Sequence, residues 1–264
     1  MDQPSNNALK RNSAFLETPE SGRRELTVLS LSLRGFARLA ETAPVTDIME
    51  FLGAYFGQLE AMSAAYGGRF VRSLGDTVSW VHGLARTDHA THACHTAIEL
   101  TRRIRLLQTG WLARALPPLD IDIGISTGLA VANDFGTDTG IAVVGDVVDF
   151  AAHLRSLNMV YGTHVLLSES AIRHTGKDLF KIREIDVLQI RGRPEPVRLY
   201  ELILPQQYPD TGWLTEFGRG YDLFRAGLRS QARLVFQHLA EIAGDPVSRC
   251  LLERCTGPRR RQED

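Results

Sequence analysis

The stretch YGGRFVRSLGDTVSWV fills residues 66–81, and its reading decides the fold. Phe70–Leu74 and Thr77–His82 are two short runs rich in β-branched and aromatic residues, the side chains that suit a pleated, half-buried surface. Between them stands Gly75-Asp76, the residue types that a tight hairpin turn selects. Gly67-Gly68 closes a preceding helix. That helix runs from about Pro44 to Tyr66, with Ile48, Phe51, Leu52, Tyr55, Phe56, Leu59 and Met62 at helical spacing. A second helix follows the hairpin, from about Thr87 to Leu107. Outside the helices lie a strand at Leu26–Leu33 and a long strand at Leu119–Val131. A strand pair held between two helices and two outer strands is the β-α-β-β-α-β order of a ferredoxin-like α+β sandwich.

Beyond this unit the sequence predicts a return strand at Ile141–Val144, a third helix at Val147–Tyr161 and a strand at His164–Ser168. A short helix at Glu169–Thr175 and strands at Phe180–Ile190 and Val197–Leu204 complete the pattern. Pro205 and Pro209 mark a break. After it, Tyr221, Phe224, Leu228, Ala232, Val235, Phe236 and Leu239 line helical wheels, and Phe217–Cys255 reads as a helical pair. The expected organisation is a flexible segment over 1–24, an α+β domain over 25–204, and a helical extension with a solvated tail over 205–264.

Composition narrows the function classes. The 264 residues suit one large domain or a domain with an appendage, and 44% hydrophobic with 23% charged residues is ordinary globular usage. Thirty basic against 31 acidic residues give a net charge of -1, which excludes whole-molecule steering toward nucleic acid or an anionic membrane. Cys94, Cys250 and Cys255 are too few for a disulfide framework and fit a reducing compartment. No apolar run approaches the roughly 20 residues of a membrane helix, and MDQPSNNALKRNS lacks the apolar core of a secretory signal. These features together lead us to expect a cytoplasmic protein.

Six stretches carry a family resemblance: VLSLSLRGFARLAE, YGGRFVRSLGDTVSWV, DIGISTGLAVANDFG, VVGDVVDFAAHL, YGTHVLLSES and LQIRGRPEPVRLYEL. Their order and spacing resemble the class III adenylate/guanylate cyclase homology domain, over Leu26–Leu202. The residues after Pro205 resemble the helical extension of bacterial cyclases. The resemblance implies head-to-tail pairing with each active site shared across the interface, as a homodimer or a heterodimer with another cyclase-like domain. It implies a nucleoside triphosphate ligand, with magnesium or manganese accompanying any bound nucleotide, and attack of the 3′-oxygen on the α-phosphorus.

Carried over position by position, the chemical residues are eroded. The first metal aspartate falls on Ser32, a hydroxyl without the anionic charge that hard dications need. The second is retained as Asp76, which equally suits a turn. The base-reading position is Arg72, a group with five donors and no acceptor; a solvated strand residue is the alternative. The second base contact falls on Ala142, which has no hydrogen-bonding side chain. The transition-state pair, normally Asn and Arg four residues apart, is Asp149 and His153. An aspartate near a polyanion opposes charge stabilisation, and a surface pair is the simpler reading. The last phosphate cation matches Arg193, which a solvated turn also explains. The family glycine after the long strand is Asn133, and the hairpin from Gly136 to Gly145 is short. Losing one preorganised stabilising group costs about two to three orders of magnitude in rate, so these losses together predict cyclisation below detection.

His89, His92 and His95 recur on the second helix, but a solvated helix face is favoured over a metal site, which needs a fourth ligand. Cys250 and Cys255 read as small buried residues. Three functions follow from these readings: a catalytically degenerate cyclase homologue acting as a dimerising regulatory or ligand-binding module, a working nucleotidyl cyclase with altered site residues, or an adaptor binding partners through its helical extension.

Overall fold

The computed structural model describes residues 23–72, 77–83, 88–112, 116–134, 141–176, 178–190, 193–205, 207–208 and 212–256. The chain begins with β1 (Arg23–Arg34), then α1 (Phe36–Thr42) and α2 (Val45–Tyr66). The hairpin strands β2 (Arg69–Arg72) and β3 (Val78–His82) precede α3 (His89–Leu112). Next come β4 (Asp120–Asp134), β5 (Ile141–Val144), α4 (Asp146–Tyr161), β6 (Val165–Ser168) and α5 (Glu169–Arg173). The chain continues through β7 (Ile182–Leu188), β8 (Val197–Leu202) and three helices, α6 (Gly212–Arg225), α7 (Arg229–Ile242) and α8 (Pro246–Thr256). The eight strands form one sheet in the order β2-β3-β1-β4-β6-β8-β7, with β5 paired to the far end of β4. The α+β sandwich read from the sequence is the fold observed. Two details differ. Phe36–Thr42 forms a helix that the sequence reading passed over, and the helical extension has three helices where a pair was expected.

β1 and β4 pair antiparallel over their shared length, Leu29 opposite Ile125 and Leu31 opposite Ile123. Side chains alternate across a strand, so these residues and Leu33 and Ile121 fall on one face. There they join Phe51, Tyr55, Leu59 and Met62 of α2 and Ala97, Leu100 and Ile104 of α3 in the main core. Burying each such large apolar side chain contributes about 1.5–3 kcal/mol. The opposite face carries Val28, Ser30 and Ser32 of β1 and Asp122, Gly124 and Gly128 of β4, and α4 lies across it. The close approach explains Gly124: a Cβ there would stand 2.1 Å from the Ala151 carbonyl oxygen and 2.4 Å from the Arg155 nitrogen.

The helical extension shares a core with the sandwich. Phe150, Leu154 and Tyr161 of α4 and Leu166, Ile185 and Leu199 of the sheet pack with Phe217, Phe236, Leu239, Val247 and Leu251. A buried ion network fastens this junction. The Arg183 guanidinium on β7 donates to Glu201 on β8 at 2.7 Å and to both oxygens of Asp245, before α8, at 2.7 and 2.9 Å. It also lies 4.2 Å from the Phe217 ring centre. Burial works against the Asp245 carboxylate, but hydrogen bonds from Arg183, Ser248 and Tyr208 outweigh it and hold its pKa below the ordinary value. Asp245 also caps α8, accepting from the Ser248 amide at 3.0 Å.

Candidate functional site

Most of the positions singled out in the sequence fall into two groups on either flank of α4, while Arg72 and Ala142 stand on β2 and β5, strands that contact each other. On one flank is the group that the resemblance assigns to metal binding. Ser32 sits on β1 opposite Asp122, and Leu31 sits opposite Val78 of β3. Continuing that antiparallel register by one residue sets Thr77 beside Ser32, so Thr77, Ser32 and Asp122 form a row across three strands. Arg72 ends β2 in register with Val78. Asp76 lies outside the described residues, as do positions 135–140 of the shortened hairpin.

Asp122 is the buried carboxylate nearest Ser32 in register, and it is already engaged. Arg34 Nε donates to it at 3.1 Å, and Arg34 Nη2 pairs with it while donating to the Thr163 carbonyl at 2.8 Å. Burial raises the Asp122 pKa, with Arg34 offsetting part of the effect. Among the described residues no cluster of three or more histidines, cysteines or carboxylates could hold a metal ion. Among the described residues, a neutral Ser32 and an Asp122 committed to Arg34 do not supply the free carboxylates that the implied dications need.

The sequence reading missed Arg155. Its Nη1 donates to Thr77 Oγ1 at 3.0 Å, while its Nε is buried without a hydrogen-bond partner. α4 packs over Gly124 of β4, and Thr77 belongs to the β3 side. Because β1 lies between those strands, the Arg155 side chain spans it at the level of Ser30 and Ser32. A signal was present in the sequence. Arg155 stands four residues after Ala151 and three before Asn158, both buried, so helical periodicity sets it at the edge of the buried face.

The second group lies on the opposite flank, since residues two apart in a helix differ by about 200° around its axis. His153 and Asp149 are exposed on α4. Partial desolvation of the ring first, and the nearby Arg193 charge second, lower the His153 pKa from its ordinary value near 6.5. The shift favours the neutral imidazole. Arg193 is more than a solvated turn residue: it pairs with Asp146 in the first turn of α4, and its guanidinium carbon lies 3.8 Å from the Phe150 ring centre. Ala142 is exposed on β5 opposite Asn133.

The histidines of α3 depart from a uniformly solvated face. His89 is buried, its Nδ1 2.7 Å from Thr27 Oγ1, whereas His92 meets Asp88 and His95 packs edge-on against Phe180. Cys250 and Cys255 are both half-buried.

This fold is matched among known proteins. The adenylate and guanylate cyclase catalytic domain family matches residues 19–203, and the chain belongs to that family. The chain is 29% identical over 185 residues to adenylate cyclase 1 of Rhizobium meliloti, an alignment covering 69% of this chain and 28% of that protein. It is 28% identical over 194 residues to an adenylate cyclase of Anabaena cylindrica, covering 71% and 38% respectively. The chain thus spans well under half the length of these relatives. Among solved structures, the adenylyl cyclase CyaB from P. aeruginosa superposes with a TM-score of 0.62 at 25% identity, over 70% of this chain and 96% of that one. The guanylyl cyclase Cya2 gives 0.61 at 25%, over 71% and 96%. No helix among the described residues is long and apolar enough to cross a membrane.

Proposed function

We propose that this chain is a catalytically degenerate class III cyclase domain, acting in cyclic-nucleotide signalling as a dimerising regulatory or ligand-binding module. The observation that carries this reading is the metal-side row. Ser32 stands at the first metal position, and Asp122 beside it is spent on Arg34. The other flank supports the same reading, since Asp149 adds negative charge and His153 is held toward its neutral form. Two half-sites on opposite flanks of α4 suit a site completed by a second cyclase-like domain, either another copy or an intact cyclase. With neither metal pair nor transition-state pair complete, the chain restrains or scaffolds such a partner rather than completing its chemistry. The test is turnover: purified protein given ATP, GTP, CTP or UTP with manganese forms no 3′,5′-cyclic nucleotide. Product that disappears on Asp76→Ala would overturn the reading.

The rival is a working nucleotidyl cyclase. What favours it is that the relatives from Rhizobium meliloti and Anabaena cylindrica are named adenylate cyclases; the same assay separates the two. The adaptor reading draws less support, because the helical extension spends its largest apolar side chains on the shared core.

A further inference from the structure

We propose that the Arg155 guanidinium occupies the place of the divalent cations and serves as the resident cation of the metal-side flank. This rests on the degenerate-domain reading and gives it a cause beyond the missing aspartate. Three observations converge. Gly124 lets α4 approach so closely that the Arg155 backbone nitrogen lies 2.4 Å from where a Cβ would stand. From there the side chain reaches Thr77 Oγ1 at 3.0 Å, one residue beyond the Leu31–Val78 pair that joins β1 and β3. Its Nε is buried and orphaned, a cost that proteins rarely accept without a compensating role. A fixed positive charge held beside the row of Thr77 and Ser32 repels a dication that would enter it. A carboxylate restored at position 32 would find Arg155 within its row and form an ion pair instead of a metal site.

The experiment titrates Mn2+ alone into wild type, Ser32→Asp, and the double variant Ser32→Asp/Arg155→Met, reading free Mn2+ by electron paramagnetic resonance. Circular dichroism checks the fold of each, and Ser32→Asp/Arg155→Gln is run in parallel in case methionine does not fold. Wild type and Ser32→Asp are expected to show no stoichiometric site. The double variant is expected to bind at least about tenfold more tightly than Ser32→Asp, equivalent to about 1.4 kcal/mol of relieved repulsion. Stoichiometric binding by Ser32→Asp, or a folded double variant no tighter than Ser32→Asp, overturns the proposal. Neither result concerns turnover: cyclic product from wild type sinks the degenerate reading, whereas stoichiometric Mn2+ binding by wild type or Ser32→Asp without product sinks this inference alone.

Discussion

Removing the Arg183 guanidinium should strand two carboxylates in the junction between sheet and helical extension. In Arg183→Met the apolar stem is kept, but Glu201 and Asp245, both essentially inaccessible, lose their shared counter-ion. A carboxyl group with an ordinary pKa near 4 pays about 1.4 kcal/mol per pH unit to be protonated above it, hence about 4 kcal/mol at pH 7 and about 1.4 at pH 5. Neutralising one of the two thus sets the scale, in line with the 3–5 kcal/mol typical of a broken buried pair. That is a large share of the roughly 5–15 kcal/mol that holds a domain folded. The pH dependence distinguishes stranded charge from lost packing, because a cavity costs the same at both pH values. Urea denaturation of wild type and Arg183→Met at pH 7 and pH 5 should show a deficit of about 4 kcal/mol shrinking to about half or less. A deficit below 1 kcal/mol at pH 7, or one unchanged at pH 5, would refute the reasoning.

Two further outcomes follow from burial and close packing. Burial, helped by the nearby His92 and His89, pushes His82 down to about 3, so the unfolded chain takes up a proton that the folded one refuses. Its stabilisation is whole above pH 6.5 and drains away as pH falls toward 3, by about 2 kcal/mol at pH 5. In His82→Gln the stability lost between pH 7 and pH 5 should be smaller by that amount, and equal losses in the two proteins would count against it. Gly124→Ala should force α4 off the sheet, since the new methyl meets helix backbone rather than a flexible side chain. A loss of about 1–3 kcal/mol is expected by thermal or chemical unfolding, and a variant as stable as wild type would show that the helix is not so tightly seated.

The sandwich was legible because its strands and helices have sharp periods: alternation in Leu29–Leu33 and 3.6-residue recurrence from Ile48 to Met62 survive into the core. The extension was less legible because its apolar wheel runs on across two turns. Gly227 and Gly244, with φ of +79° and +64°, cut it into three helices, and Asp245-Pro246 starts the last with a cap and a first-turn proline. His89 was misjudged because its neighbours on the buried face are small, Ala90, Ala93 and Cys94, and offer little hydrophobic contrast. For the candidate site, local motifs singled out Ser32, Asp149, His153 and Arg193 as candidates. What they could not convey was which of these α4 keeps apart, or that Arg155 reaches a third strand. Both depend on helix-to-sheet distance, which no linear spacing encodes.

The shared core of α4, β6–β8 and the last three helices bears on how the protein is handled at the bench. The family match stops at residue 203, and a cloner trimming to that limit would peel the cover from Leu166, Ile185 and Leu199 and leave Arg183 without one of its acids. Such a fragment would clump and go silent for want of solubility, and its silence would say nothing about chemistry.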